Sequence, residues 1–344
     1  MSGRSGKKRC EVCLRGCSLD KGEVGFCGVW GNDKGEIRPV RTFTAIAQAV
    51  DPIEKKPVYH FRPGTHVFSV GGWGCSFHCV HCRNEVVACV RESPSQCLVP
   101  PSAGIVPKLR ETGCDGMAWT FTEATLWFET VGRYAERCAR DDLFTIVLTH
   151  GAATRQVYRR LLSSGVRVWK VDLKGFSERA YRRVARLENW TRLLDNIRWL
   201  KQNGDHLELS FCPIPGVCDG EDEVRAMGQW VAKELGRDTP IHLLAFFPAR
   251  RMRHIPFGDA AKLSRLRRLL LYEIGLCHVY VPLSFHSSEV TTYCSKCGAT
   301  LVERRRLGPP RLYLDDEGRC RICEAHTPII QTHGHRSAKT SCVV

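Results

Sequence analysis

The chain has 344 residues, of which 43% are hydrophobic and 25% are charged, and its formal net charge is +15 at pH 7. This length suits one large α/β domain with appendages, or two domains, and no apolar run is long enough to span a bilayer. The positive charge is compatible with nucleic acid, a phosphorylated substrate or an acidic partner, or with a solvated basic surface alone. Arg and Lys are spread along the chain, in clusters such as residues 250–253 and 304–306, without a long basic tail. Nucleic acid is therefore not expected as the main partner.

The first eight residues contain no apolar signal region, so we expect the protein in the cytoplasm and not on a membrane. Thiols stay reduced in that compartment. The 19 cysteines therefore indicate metal or redox chemistry and not a framework of disulfides.

Residues 1–40 are predicted to form a small Cys-rich module. Four cysteines lie within 18 of its residues, among several glycines: Cys10, Cys13, Cys17 and Cys27. Such a density needs a metal centre or reactive thiols, and zinc and an auxiliary iron–sulfur cluster are both open. Residues 41–65 follow, and their prolines predict an ordered connecting segment with turns.

Between residues 66 and 290, short apolar runs alternate with amphipathic ones. The predicted strands are His66–Val70, Gly116–Phe121, Phe144–Thr149, Val166–Asp172, His206–Phe211, Ile241–Phe246 and Cys277–Val281. The predicted helices are Thr125–Ala139, Thr154–Leu162, Trp190–Gln202, Glu221–Leu235 and Ala260–Ile274. This alternation predicts an α/β fold of parallel βα units, arranged as a complete or partial TIM-like barrel.

A three-cysteine loop follows the first predicted strand, with the spacing Cys75-x3-Cys79-x2-Cys82. Three thiolates can hold three corners of a [4Fe-4S] cubane, whereas most such clusters take four cysteines. One iron would then stay open for another molecule. The alternative is a zinc site that lacks one ligand. In a barrel, the loop after a strand lies at the face that carries the chemistry.

Polar residues also follow the other predicted strands. Thr122 and Glu123 follow the second strand, His150 follows the third, and Asp172 and Lys174 follow the fourth. Because the strands of such a barrel end at one face, we expect these side chains to converge on a ligand site there.

Residues 291–330 are predicted to form a C-terminal metal module. Cys294-x2-Cys297 and Cys320-x2-Cys323 are two CxxC knuckles, an arrangement typical of a ribbon-like metal site. Zinc and an auxiliary iron–sulfur cluster are both open here, and the two Cys-rich modules could also share one site. Residues 331–344 are predicted to be a flexible tail.

From Cys10 to Cys323 the chain resembles the radical S-adenosylmethionine (SAM) enzymes of the AmmeMemoRadiSam system, which are close to the activases of pyruvate formate-lyase. The resemblance is carried by both Cys modules, the Cys75 loop, and residues 51–57 and 172–178. It implies a [4Fe-4S] cluster on Cys75, Cys79 and Cys82 with SAM on the open iron. It further implies SAM-binding roles for His81 (beside the adenine), Asn84, Thr122, Glu123, Asp172 and Lys174.

The resemblance also implies the reaction. An external one-electron reductant of the flavodoxin or ferredoxin type would drive cleavage of SAM to a 5′-deoxyadenosyl radical, which would abstract a hydrogen atom from the substrate. The basic charge, with Arg83 and His150 where relatives carry other residues, favours an anionic, nucleotide-like small molecule, with sulfur insertion from an auxiliary cluster as one option. One alternative is an activase that installs a glycyl radical in a partner protein. Another is a zinc-ribbon protein that binds nucleic acid.

Overall fold

The structure is a computed structural model that describes residues 7–89, 99–282, 284–305 and 308–331. Near the N-terminus two hairpins form, β1 (Lys8–Arg9) with β2 (Ser18–Leu19) and β3 (Trp30–Asp33) with β4 (Glu36–Pro39). The central sheet contains β5 (Ala47–Pro52), β6 (His66–Gly71), β7 (Gly116–Thr120), β8 (Phe144–Thr149), β9 (Val168–Leu173), β10 (His206–Phe211), β11 (Ile241–Leu243) and β12 (Val279–Tyr280). Three short strands follow, β13 (Thr292–Tyr293), β14 (Thr300–Glu303) and β15 (Arg311–Leu312).

The helices lie mainly between the strands of the central sheet. They are α1 (Glu85–Ala88), α2 (Ile105–Glu111), α3 (Phe128–Arg140), α4 (Arg155–Ser163), α5 (Glu178–Ala185), α6 (Thr191–Asn203), α7 (Glu221–Glu234) and α8 (Ala260–Arg268). A π-helical segment, Leu269–Glu273, continues α8. No helix in the described part of the chain has both the length and the apolar character needed to cross a lipid bilayer.

The central sheet is the partial form of a TIM-like barrel. Its strands follow one another in chain order from β5 to β12, and all neighbours from β6 onward are parallel. In the described residues β5 and β12 are the two edges, and no ladder joins them. The predicted α/β class is confirmed, and each of the seven predicted strands overlaps a strand of this sheet.

Strand β5 is an element that the sequence did not reveal. It lies inside the predicted connecting segment and pairs antiparallel with β6, from Ala47 opposite Gly71 to Pro52 opposite His66. Its burial does not alternate in the way that marks a strand with one buried face. Pro52 is tolerated because it ends an edge strand, where a missing N–H costs little.

Three helices, α1, α2 and α5, were also missed, and all are short. Helix α5 has eight residues and is rich in arginine, but Ala180, Tyr181 and Val184 form a buried stripe. Its first turn is capped by Ser177, whose Oγ accepts a hydrogen bond of 3.1 Å from the backbone N–H of Ala180. Such a cap stabilises a helix start by about 1 kcal/mol.

The two faces of the sheet have separate cores. Phe68, Trp119 and Trp169 point toward the helices and belong to the large core. The inner face carries a smaller apolar cluster near the amino ends of the strands, formed by Ile53, Val58, Phe61, Val67, Ala118, Ile146 and Val168. The segment after β5 therefore fills this end of the barrel, and the carboxyl ends of the strands are left for the site.

A buried carboxylate anchors that segment. Glu208, on the inner face of β10, accepts hydrogen bonds from the backbone N–H groups of Tyr59 and His60, at 2.8 and 2.7 Å. The ring nitrogens Nε2 of His206 and His242 bind the same carboxylate. Four donors offset the cost of burying this charge, since a buried carboxylate is tolerated only when it is paired and hydrogen-bonded.

Arg304 joins the C-terminal module to the same region. Its guanidinium donates to Thr292 Oγ1 at 2.8 Å and to the carbonyl oxygen of Tyr59, and it lies 4.0 Å from the Tyr59 ring centroid. The sequence suggested that this arginine cluster was surface charge, but Arg304 is only 5% exposed. The C-terminal module is thus fixed to the barrel by a buried cation.

Candidate radical SAM site

The loop that carries Cys75, Cys79 and Cys82 begins directly after β6 and ends at α1. Cys75 and Cys79 are buried, Cys82 is half-buried, and all three are free thiols. The backbone N–H of Phe77 donates to Cys75 Sγ at 3.4 Å. Burial raises the pKa of Cys79 to about 11 and that of Cys75 well above its ordinary value, so thiolates need a cationic centre to exist here.

The spacing of these thiols fits a cluster better than a single ion. Among the described residues only the C-terminal cysteines bring three or more ligand atoms within 4.8 Å of one another. The three Sγ atoms of the Cys75 loop do not form such a compact group, whereas thiolates around one tetrahedral ion lie about 3.8 Å apart at a Zn–S length of 2.3 Å. A cubane separates its thiolates further, because its own iron and sulfide ions lie between them.

The loop is held from two sides. Gly74 has a φ of +76°, and a Cβ there would lie 2.7 Å from the carbonyl oxygen of Cys27 in the N-terminal module. Arg15 of that module donates from Nε to the Ser76 carbonyl at 3.0 Å. On the other side Arg250 binds the loop backbone. A cluster needs such a fixed frame, because its ligands must be in place together.

The loop after β7 contacts the Cys75 loop through Thr122, whose hydroxyl donates to the carbonyl of Gly74. Its neighbour Glu123 is 1% exposed. Glu123 accepts hydrogen bonds from Thr149 Oγ1 at 2.6 Å and from the backbone N–H of His150 at 2.9 Å. The carboxylate thus braces the loop after β8 from within, and its contact with the amino group of SAM stays a prediction.

His150 is an internal residue of this site. Its ring stacks on Phe77 at 3.7 Å, and Nε2 lies 3.0 Å from both Ser76 Oγ and Glu123 Oε2. Burial lowers the pKa of His150 to about 4, against the opposing effect of Glu123. The neutral imidazole is therefore favoured at pH 7, and a role of His150 in favouring an anionic substrate stays a prediction.

Asp172 and Lys174 lie at the carboxyl end of β9. The Lys174 ammonium is 3.6 Å from the Asp172 carboxylate, which Lys170 approaches at 3.5 Å on its other oxygen. Burial alone would raise the pKa of Asp172, but the charges of Lys174 and Lys170 lower it to about 2. Strand β9 runs parallel to β6 in the same sheet, so this predicted pair and the Cys75 loop lie at the same edge of the sheet.

His81 and Asn84 lie on the same loop, in different surroundings. The half-buried His81 ring is 6.3 Å from that of Phe246, and burial lowers the pKa of His81 to about 3. Within the described residues its buried Nδ1 has no hydrogen-bond partner, as expected for a group that awaits a bound molecule. Asn84 is exposed at the start of α1.

Arg250 is a site residue that sequence reasoning missed. Its Nη1 donates to the carbonyls of His78 and Cys79 at 2.6 and 2.8 Å, and its Nε pairs with Glu85 at 2.8 Å. In the sequence it stands in an arginine cluster that suggested surface charge. The signal available in the sequence was Met252, an apolar residue among the arginines, which the structure shows to be buried.

The C-terminal cysteines form a compact tetrad. Cys294 and Cys323 have their Sγ atoms 3.7 Å apart, as do Cys297 and Cys320, and all four sulfur atoms lie within 4.8 Å of one another. These separations fit the tetrahedron edge of about 3.8 Å that four thiolates form around one zinc ion. The tetrad is complete within its own module, so a site shared with the N-terminal cysteines is not what the structure shows.

Comparison with known proteins agrees with this geometry. The model of the Radical SAM superfamily matches residues 70–227. The Uncharacterized protein MJ0808 of Methanocaldococcus jannaschii is 32% identical over 330 residues, which cover 94% of this chain and 96% of that protein.

Solved structures are more distant. A domain of the pyruvate-formate lyase-activating enzyme from Bacteroides vulgatus is 16% identical and covers 48% of this chain and 98% of its own, with a TM-score of 0.41. A radical SAM methyltransferase from Sphaerobacter thermophilus is 18% identical and covers 70% and 71%, with a TM-score of 0.49. Membership of the AmmeMemoRadiSam group stays a prediction. Because the superfamily model spans the Cys75 loop and the strands after it, the chain belongs to the radical SAM superfamily and is a radical SAM enzyme.

Proposed function

We propose that this enzyme abstracts a hydrogen atom from an anionic small molecule bound at the carboxyl ends of the strands. The observation that carries this proposal is the Asp172–Lys174 pair at the carboxyl end of β9, the same edge of the sheet from which the Cys75 loop with its buried thiols begins. A [4Fe-4S] cluster on these thiols, with SAM on its open iron, supplies the 5′-deoxyadenosyl radical when both are bound.

The chain's own residues hold and shield that chemistry. Lys174, oriented by Asp172, offers an ammonium to a carboxylate of SAM, and the unpartnered Nδ1 of His81 offers an acceptor to a bound ring. The stacked rings of Phe77 and His150 close the site on the barrel side. Their burial keeps water from a reactive carbon radical.

Charge at the mouth of the barrel supports an anionic substrate. Arg83 is exposed, with its guanidinium 4.6 Å from the centre of the Phe247 ring. Arg251 and Arg253 are exposed on the loop that contacts the Cys75 loop. The nearby carboxylate of Glu85 is already paired with Arg250. The remaining positive charge favours phosphate or carboxylate groups.

The first experiment is SAM cleavage under anaerobic conditions. Protein reconstituted with iron and sulfide and reduced with dithionite should release 5′-deoxyadenosine and methionine, measured by liquid chromatography. Cys75→Ala should lose this activity, while Cys114→Ala, a buried cysteine outside the site, should keep it. Equal activity in both variants would contradict the proposal.

The second experiment identifies the substrate class. Metabolites extracted from cells grown in deuterated water are separated into anionic and neutral fractions, and deuterium in 5′-deoxyadenosine is measured by mass spectrometry. Label from the anionic fraction supports the proposal, and a product that has gained sulfur would add sulfur insertion to it. Label only from neutral molecules would overturn the anionic assignment. A glycyl-radical signal in a partner protein, without small-molecule labelling, would replace the proposal with the activase reading.

A further inference from the structure

The four cysteines of the N-terminal module converge although the chain between them is irregular. The β1–β2 hairpin brings Cys10 beside Cys17, with a hydrogen bond of 2.8 Å from the Cys10 N–H to the Cys17 carbonyl. The turn at residues 25–28 packs against Cys17, since a Cβ on Gly25 would lie 3.7 Å from Cys17 Sγ. Cys10, Cys13 and Cys27 are buried, and Cys17 is half-buried.

The spacing of this tetrad differs from that of the C-terminal one. No three of its sulfur atoms lie within 4.8 Å of one another, in contrast to Cys294, Cys297, Cys320 and Cys323. They are still neighbours in space, because Cys10 and Cys17 face each other across the β1–β2 hairpin and the turn before Cys27 contacts Cys17. The tetrad thus shares the wider spacing of the Cys75 loop.

The tetrad also shares a local feature with that loop. The backbone N–H of Val29 donates to Cys27 Sγ at 3.5 Å, as the N–H of Phe77 does to Cys75 Sγ at 3.4 Å. An N–H aimed at sulfur stabilises a thiolate, and such bonds help set the potential of iron–sulfur clusters.

We propose that Cys10, Cys13, Cys17 and Cys27 bind a [4Fe-4S] cluster, whereas the C-terminal tetrad binds a single zinc ion. Four thiolates saturate the irons of a cubane. Such a site leaves no open iron for a substrate and suits electron transfer.

The location of the tetrad supports that role. Gly74, which precedes Cys75, packs against the carbonyl of Cys27, and the rings of Phe26 and His78 are 4.1 Å apart. A few covalent bonds and one van der Waals contact therefore join Cys27 to Cys75. In this role, an electron from a reductant of the ferredoxin or flavodoxin class reduces the N-terminal cluster, which is reoxidised as it passes the electron to the Cys75 site.

The test is the content of iron, sulfide and zinc per chain in protein isolated without oxygen. We expect about eight irons in the wild type, as two cubanes require. Cys17→Ala/Cys27→Ala should lose about half of the iron and keep its zinc. Cys114→Ala/Cys138→Ala, which replaces two buried cysteines outside all three sites, should lose neither metal. Zinc retained together with the iron of the Cys75 site shows that the C-terminal module and the barrel have both folded in this variant.

A second variant leaves the tetrad untouched. Cys75→Ala/Cys79→Ala/Cys82→Ala should keep about four irons and give the EPR signal of a cubane after reduction with dithionite. Two zinc ions and no iron in this variant would overturn the inference, whether or not the wild type cleaves SAM. Conversely, iron retained in this variant, together with a wild type that does not cleave SAM, would refute the proposed function but not this inference.

Discussion

The guanidinium of Arg250 donates a hydrogen bond of 2.8 Å from Nη1 to the carbonyl oxygen of Cys79. Arg250 stands after β11, near one edge of the open sheet, and Cys79 stands after β6, near the other. The contact therefore joins the two ends of a barrel that no strand ladder closes in the described residues. Through this contact the last βα units fix the Cys75 loop, which follows the first parallel strand.

We expect Arg250→Ala to weaken the hold on the Cys75 loop. The substitution removes two charge-assisted hydrogen bonds to the loop, each worth about 2 kcal/mol, together with the Glu85 pair. Iron should be lost to a chelator about tenfold faster than in the wild type, followed by the visible absorbance of the cluster. Arg253→Ala, an exposed neighbour on the same loop, is the control, and equal rates in both variants would contradict the role of Arg250.

Lys174→Met should weaken SAM binding and leave the iron content unchanged. The chain should still fold, because Lys170 remains to pair with Asp172. Loss of one charge-assisted hydrogen bond predicts a Kd for SAM about 10- to 100-fold higher, measured by calorimetry. Lys174→Arg should recover part of the affinity, and Lys108→Met, on a helix outside the site, should have no effect. An unchanged Kd in Lys174→Met would remove Lys174 from the SAM site.

Removal of the C-terminal metal should unfold its module but leave the barrel intact. The module has a core of only six buried residues, two of them cysteines, and a core of this size needs a metal to be stable. A mercurial thiol reagent should release one zinc per chain and open the exposed Arg311 to trypsin, as seen by mass spectrometry. Cys294→Ala should be cleaved there without the reagent, whereas Cys277→Ala should behave as the wild type. Resistance of both variants would argue against a metal-dependent module.

Acid should destabilise the protein through buried histidines. Burial lowers the pKa of His242 and of His278 to about 4 and that of His60 well below its ordinary value. The unfolded chain takes up protons near pH 6.5 and the folded one does not, so stability is present above pH 6.5 and is lost as the pH falls toward 4.

Each histidine contributes about 2 kcal/mol to the loss between pH 7 and pH 5. Urea unfolding at these two pH values should show a smaller loss for His278→Leu than for the wild type. His286→Leu, at an exposed histidine, should leave the loss unchanged. An equal loss in all three proteins would mean that His278 is protonated in the folded state.

The fold class and the centre of the site could be predicted from the sequence alone. The length of the apolar runs and their alternation with amphipathic runs predicted the seven parallel strands, because a strand buried on both faces is a short, continuous apolar run. The Cys75 loop was readable for a different reason: three ligands close in the chain are forced close in space by covalent geometry.

Tertiary packing settled which charged residues face inward and which cysteines form compact sites. Arg250 and His150 looked like surface or substrate-facing charge, yet one clamps the Cys75 loop and the other is a neutral internal ring. Strand β5 was hidden because an edge strand can lack periodic burial. The C-terminal and N-terminal tetrads look alike as sequence, and their different sulfur spacing arises from how distant segments pack, which local patterns do not encode.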